Sequence, residues 1–187
     1  NADFLSWPAR QVSTPIYLPP AVWGDFEKTG IMPSFRYMEG SGWVSLHLFD
    51  QPLDLGGWRI TAHPVAEAYV YAFLFSELEG DRRVLVAMDE LFGWTPPAAW
   101  RGVDLAVMPK GLHEFHPDTG ARIIPADHPV LAEEATYDQT LAMVEQLAPQ
   151  RVVFMHIEEP EPLSPGRLDA LAADLRRQRG WDVTFAH

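Results

Sequence analysis

The sequence contains no cysteine. Disulfide bonds and thiolate zinc ligands are therefore excluded together, which leaves histidine, aspartate and glutamate as the strong metal ligands. No apolar run approaches the ~20 residues that a membrane-spanning helix needs, so we expect no membrane partner. A Gly-x-Ser-x-Gly elbow, a P-loop and a dinucleotide fingerprint are also missing. Their absence argues against serine-hydrolase and nucleotide-binding chemistry.

Positive charge is scarce as well. The 14 lysines and arginines face 26 aspartates and glutamates, which gives a formal net charge of −12. A chain with this charge repels a polyanionic backbone, so we expect no nucleic acid partner and a small-molecule substrate instead. Nothing in the sequence resembles a signal peptide, and we expect a cytoplasmic location.

The length is that of one ordinary domain. A chain of 187 residues, 47% of them hydrophobic, can bury roughly 70% of the surface that its unfolded form exposes. We expect a single domain over residues 1–187. Because the sequence starts at Asn1 without a methionine and stops at His187 directly after a strand-like segment, we expect this domain to be truncated at both ends.

The hydrophobic pattern predicts an α/β fold with mixed β-sheets and flanking helices. Helices are predicted to begin at Pro19-Pro20, at Thr136 in a capping box, and at Ser164-Pro165. Strands are predicted at 15–18, 43–48, 58–62, 69–75, 84–88, 103–108, 151–155 and 181–186. We expect 43–48 and 58–62 to pair antiparallel, and the Gly-, Pro- and His-rich stretch from 109 to 129 to form a long loop.

Two of the predicted strands deliver a metal-type ligand at their carboxyl ends. The apolar strand 84–88 is followed by Asp89, and the apolar strand 151–155 is followed by His156. A strand is a stiff, buried support, and a polar residue at its exit can project into a cleft. The alternatives are that Asp89 caps a turn and that His156 is a structural histidine.

These segments resemble the metallo-β-lactamase fold, in particular the branch that includes phosphodiesterases such as the carbon-phosphorus lyase accessory protein and transfer-RNA maturation endonucleases. The resemblance covers nearly the whole chain and implies an αββα sandwich, here partial. It implies that Asp89 is the catalytic carboxylate bridging two metals and that His156 is a later metal ligand. It also implies an intermediate ligand at His63, which precedes the strand 69–75, with Glu67 as the competing assignment.

The same resemblance implies two divalent cations. We expect zinc, although nitrogen and oxygen ligands also suit manganese or iron. Two cations sharing Asp89 would lower the pKa of a bridging water and stabilise charge on a phosphoryl or carbonyl oxygen. The family motif His-x-His-x-Asp-His, which supplies most of the ligands, occurs nowhere in this sequence. A further family histidine is also missing, because Glu134 stands near its place.

Other histidines and acids lie in the long loop. His116 and His128 are candidate proton donors in a substrate-facing loop, and a solvated polar loop is the alternative reading. The acidic run 158–161 after His156 is read in the same two ways, as support for the site or as solvated surface.

The function that follows for the complete protein is hydrolysis of a small phosphodiester or ester-like substrate by a metal-activated water. Because the family motif is missing, an inactive isolated chain is one of the expected outcomes. A non-catalytic interaction or regulatory domain without metal is the alternative. Because a truncated sheet exposes an edge, a homodimer is also expected.

Overall fold

A computed structural model describes residues 13–65, 69–157 and 163–186. The chain divides into two compact units, with the boundary between Leu53 and Asp54. The expected single domain over 1–187 therefore stays a prediction, and each unit is described by itself. None of the helices in the described ranges combines the length and apolar character that crossing a membrane requires.

The first unit contains two strands and two helices, β1 (Thr14–Leu18), α1 (Pro20–Lys28), α2 (Met32–Gly40) and β2 (Val44–Leu48). The strands pair in parallel, with Thr14 opposite Val44. A parallel pair needs a crossover connection, and the two helices supply it. The side chains of Phe35, Met38 and Val44 form a small buried cluster.

The antiparallel pairing expected between 43–48 and 58–62 is therefore wrong. The strand at 44–48 pairs with β1, and the strand at 58–64 belongs to the other sheet. Alternating side chains identify a strand that is half buried, but they carry no information about which strand lies beside it.

The second unit is built on a seven-stranded mixed sheet in which the strands follow one another in chain order. The first strand of the sheet, β3 (Leu53–Leu55), begins at the last residue before the boundary. The others are β4 (Trp58–Pro64), β5 (Tyr71–Glu77), β6 (Arg83–Val86), β7 (Leu105–Pro109), β8 (Arg151–Met155) and β9 (Asp182–Phe185). Strands β4, β5 and β6 pair antiparallel, whereas β6 through β9 are parallel to their neighbours. The expected mixed α/β architecture is confirmed.

Two helices accompany the parallel strands, α3 (Tyr137–Leu147) before β8 and α4 (Pro165–Arg179) before β9. The predicted capping box at the start of α3 is present, because Thr136 accepts from the Gln139 N–H and the Gln139 side chain accepts from the Thr136 N–H. Ser164 caps α4, and Gly180 ends it in the left-handed conformation. The loop predicted for 109–129 is confirmed over residues 110–128, which hold no named strand or helix. Pro109 is the last residue of β7, and Pro129 is the first residue of a short 3-10 helix.

The core of the second unit lies along the parallel strands. Leu85, Ala106, Phe154 and Val183 come from four adjacent strands, and all are fully or almost fully buried. Because β6, β7 and β8 run in the same direction, their carboxyl ends meet at one edge of the sheet. Residues that follow these strands are thereby brought close together, with the apolar core as a rigid support.

Candidate metal centre

Asp89 lies three residues after the last residue of β6. The connecting residue Ala87 is fully buried, and its backbone N–H donates to the Val107 carbonyl of β7 at 2.9 Å. The chain therefore stays attached to the sheet beyond the end of the strand and leaves it only near Met88. The Asp89 side chain is about half exposed at that point, with a relative accessibility of 48%.

His156 follows β8 directly. The preceding residue, Met155, accepts a hydrogen bond from the Lys110 N–H at 2.8 Å, which fixes the exit of β8 to the chain leaving β7. The imidazole Nε2 of His156 lies 3.7 Å from Oδ1 of Asp89. The structure thus brings together the two side chains that the sequence placed at matching strand ends.

Glu134 is the third member of the group. It lies between a short 3-10 helix, Pro129–Ala132, and the start of α3. Its carboxylate Oε2 accepts from the Glu90 N–H at 3.2 Å, and the neighbouring Glu133 carbonyl accepts from the Phe92 N–H at 3.2 Å. One ligand atom from each of Asp89, Glu134 and His156 lies within 4.8 Å of the others.

The backbone is strained at this centre. Glu90 has a φ of 48° and His156 a φ of 51°, in the left-handed region that disfavours residues with a side chain. Among the described residues, Ala148 at the end of α3 is the other non-glycine residue in this region. Strain of this kind persists where the surrounding structure enforces it, and it concentrates at functional sites.

The three side chains fit a divalent cation. Two carboxylates placed this close repel each other, and a bound cation would balance their charge. Two ligand atoms on a tetrahedral zinc are about 3.4 Å apart for typical bond lengths, close to the 3.7 Å between His156 and Asp89. Oxygen and nitrogen donors suit zinc, manganese or iron.

His63, the other candidate ligand from the sequence, lies on β4 opposite Ala72 of β5. Its ring meets the Trp100 ring edge to face, with 5.3 Å between centroids, and Trp100 in turn contacts Trp94 at 6.3 Å. His63 is not part of the group formed by Asp89, Glu134 and His156. Its role as a ligand stays a prediction, and the competing Glu67 lies outside the described residues, as does the acidic run 158–161.

The loop histidines have local roles. Nδ1 of His116 accepts from the Asp118 N–H at 3.1 Å, and Nδ1 of His128 accepts from the Val130 N–H at 3.3 Å. Both rings therefore stabilise turns of their own loop, in the way that polar side chains commonly do. Neither belongs to the group at the strand exits, so the structure offers no support for a proton-donor role.

The sequence predicted Asp89 and His156 as metal ligands, but it did not predict Glu134 as one. The signal that could have pointed to it is its position two residues before Thr136, the N-cap of α3, which is the helix that leads to β8. That position places the carboxylate at the same end of the sheet as the strand exits.

No known protein-family model matches this sequence, and no curated protein shows significant similarity to it. Solved structures do match in three dimensions. A diphosphatase from the PhnP family superposes with a TM-score of 0.56 at 18% identity over 92% of this chain. The metallo-β-lactamase fold protein YhfI from Bacillus subtilis superposes with a TM-score of 0.55 at 16% identity, also over 92%.

A third match is the Zn²⁺-bound PqqB from Methylobacterium extorquens, with a TM-score of 0.54 and 16% identity over 92% of this chain. This chain spans 55% of the length of the diphosphatase, 61% of YhfI and 60% of PqqB. At these identities the similarity is one of fold.

Proposed function

We propose that this chain, which has a metallo-β-lactamase fold, provides part of the active site of a metal-dependent hydrolase that acts on a small phosphodiester or ester-like substrate. The observation that carries the proposal is the convergence of Asp89, Glu134 and His156 at the exits of two parallel strands, with ligand atoms within 4.8 Å of one another. These side chains belong to different parts of the sequence, and the fold holds them at one edge of a rigid sheet.

In this proposal Asp89, Glu134 and His156 hold one divalent cation. In the whole protein, Asp89 and His63 would also contribute to a second metal site, as the resemblance of the sequence implies. When bound, a divalent cation supplies Lewis acidity toward a phosphoryl or carbonyl oxygen and lowers the pKa of coordinated water. We propose zinc as the cation, with manganese or iron as alternatives.

The protein's own residues orient these ligands. The Glu90 N–H donates to the Glu134 carboxylate, and the Lys110 N–H donates to the carbonyl that precedes His156. Backbone donors of this kind fix the direction of a ligand before the metal arrives, which raises affinity and selects one geometry.

Two of the structural matches support this choice of chemistry by their names. One is called a diphosphatase, and another is described as Zn²⁺-bound. The net charge of −12 favours a small molecule over nucleic acid as the substrate. The proposal further places the protein in the cytoplasm, as a homodimer, and size-exclusion chromatography with light scattering tests the oligomeric state.

The proposal is tested on chain stripped of metal with a chelator. Titration calorimetry with Zn²⁺, Mn²⁺ and Fe²⁺ measures binding, and hydrolysis of bis-p-nitrophenyl phosphate measures activity after loading. We expect zinc binding that is lost in Asp89→Asn and His156→Ala. A folded chain that binds none of these metals and hydrolyses nothing would instead support the non-catalytic interaction domain.

A further inference from the structure

The loop after β7 folds back onto the start of α3. The Leu112 N–H donates to the Ala135 carbonyl at 2.9 Å, and the Tyr137 N–H donates to the Leu112 carbonyl at 2.8 Å. These two bonds make a short parallel bridge between Leu112 and Thr136. Further along, Phe115 bridges Arg122 in the antiparallel sense, so the loop has a defined shape.

The folded-back loop and the start of α3 together line an open pocket of about 160 Å³. Its lining combines apolar and aromatic side chains with polar ones. The lining residues are Leu112, His113, Glu114, Phe115, Thr136, Tyr137 and Asp138. Phe115 is nearly half exposed, at 46%, although it is a large apolar side chain. Exposed aromatic residues beside a concave surface are typical of a site that binds a ligand.

One wall of the pocket is a pair of stacked rings. The imidazole of His113 lies 4.5 Å from the Tyr137 ring, with 24° between their planes. The ammonium of Lys110 is fully buried and lies 3.0 Å from Nδ1 of His113. A lysine ammonium has only donors, so Nδ1 of His113 is the acceptor in this contact. The buried lysine thus holds the His113 ring in place beside Tyr137.

Charges at the rim are balanced. Glu114 forms a salt bridge with Arg122, whose guanidinium lies 4.5 Å from the centre of the Phe115 ring. Asp138 is exposed, and Nζ of Lys110 lies 5.9 Å from the centre of the Tyr137 ring. The carboxylates disfavour an anionic group in the pocket, and the two cations disfavour a positively charged one. The pocket therefore favours an uncharged ring.

The pocket also lies close to the candidate metal centre. Thr136 follows Glu134 by two residues, and two residues span at most about 7 Å of chain. At the base of the loop, the Lys110 N–H is bonded to the carbonyl that precedes His156. The lining of the pocket therefore begins within two residues of one candidate metal ligand.

From these observations we propose that the pocket between the 112–115 loop and the start of α3 binds an uncharged aromatic ring carried by the substrate. A cavity of about 150 Å³ accommodates benzene, so the volume suits a single six-membered ring. The inference rests on the proposed function, because it makes the substrate an aryl ester whose ring is held beside the reacting group.

Binding is tested first without metal, so that the result does not depend on catalysis. Phenol and cyclohexanol are added to the chelator-treated 187-residue chain, and saturation-transfer NMR reports which one binds. We expect phenol to bind and cyclohexanol to bind at least about fivefold more weakly, because only a planar ring stacks on the walls. We also expect Phe115→Ala to weaken phenol binding by about tenfold.

The matched control is Tyr37→Ala, which removes an exposed aromatic side chain from the other unit and should leave phenol binding unchanged. A second variant, Tyr137→Leu, removes half of the stacked wall, and its thermal unfolding shows whether it folds. No phenol binding to the unaltered chain, or equal binding by folded Phe115→Ala and Tyr137→Leu variants, would overturn the proposal.

Kinetics then separate the two proposals. Methyl phenyl phosphate and methyl 2,2,2-trifluoroethyl phosphate share the methyl group, and only the phenyl ester contains an aromatic ring. With the zinc-loaded chain we expect Phe115→Ala to lower kcat/KM for the phenyl ester by about tenfold and to leave that for the trifluoroethyl ester within about twofold. Equal effects of Phe115→Ala on the two esters refute the pocket alone. Phenol binding by a folded chain that binds no zinc refutes the proposed function alone.

Discussion

The backbone N–H of Glu90 donates a hydrogen bond to the carboxylate of Glu134 over 3.2 Å, across 44 residues of sequence. Glu90 directly follows Asp89, so the same turn that presents one candidate ligand orients the next. The turn also holds a left-handed φ of 48° at Glu90, which has a cost in backbone strain.

A first prediction concerns Glu134 as a metal ligand. Glu134→Gln keeps the size of the side chain and removes its charge, so we expect the zinc dissociation constant to rise by at least about tenfold. Titration calorimetry on metal-free chain measures the change. The control is Glu133→Gln, which removes an equal charge one residue away and should alter affinity by less than about twofold. Equal losses in both variants would show that net charge, and not ligation, sets the affinity.

A second prediction concerns His63. Its ring is in contact with Trp100 and does not belong to the group around Asp89. We therefore expect His63→Gln to leave the affinity for the first zinc ion within about twofold of the unaltered chain, and to affect only a weaker second site. A tenfold loss in the first binding step would show that His63 is a primary ligand, as the resemblance of the sequence implies.

A third prediction compares two glycines in the long loop. Gly111 has a φ of 80°, and a Cβ there would lie 2.6 Å from the Thr140 hydroxyl and 2.7 Å from the Thr136 carbonyl oxygen. Gly120 has a similar φ of 67°, but no atom would lie within 4 Å of its Cβ. We expect Gly120→Ala to cost about 1 kcal/mol from backbone strain alone and Gly111→Ala to cost about 3 kcal/mol.

Urea denaturation of the two variants, with the unaltered chain as reference, measures both costs. If Gly111→Ala and Gly120→Ala lower the free energy of unfolding by similar amounts, the loop moves away from α3 at no cost. That result would contradict the close packing between Gly111 and Thr136.

A fourth prediction follows from the pKa of Tyr137. Burial, with smaller contributions from Asp138 and Asp174, raises the pKa of this phenol from 10.0 to about 12. The unfolded chain therefore loses the Tyr137 proton at a lower pH than the folded chain does. The stability that this group contributes is complete below pH 10 and is lost as the pH rises toward 12.

Denaturation of the unaltered chain and of Tyr137→Phe at about pH 9 and about pH 11 measures the effect. Because phenylalanine does not ionise, we expect the free energy of unfolding to fall less in Tyr137→Phe than in the unaltered chain between about pH 9 and about pH 11. An equal fall in both would show that the phenol ionises as freely in the folded chain as in water.

Local sequence signals were sufficient for much of the second unit. The apolar strands that precede Asp89 and His156, the capping box at Thr136 and the Ser164 cap are each encoded within a few residues, so reading the sequence located them. The same signals also placed two of the three candidate ligands at strand exits, because parallel strands bring their carboxyl ends to one edge.

Strand pairing and contacts between residues far apart in the sequence could not be predicted from local sequence signals. The partner of β2 is β1 in the parallel sense, and alternation of side chains does not encode that choice. Glu134 acquires its position from a hydrogen bond to a residue 44 positions earlier, which no local pattern announces. The aromatic pocket likewise depends on a bridge between Leu112 and Thr136, formed only when the loop folds back.

Because Lys110 is buried, its reactivity toward amine reagents reports on opening of the folded chain. The sequence has only two lysines, Lys28 and Lys110, and the structure leaves the first exposed while it removes the second from solvent entirely. Reagents that acylate amines need a lone pair within reach, so in the native protein the only lysine side chain that they modify readily is Lys28. A dye attached under native conditions therefore enters at one lysine, and acylation of Lys110 records the fraction of molecules that have opened.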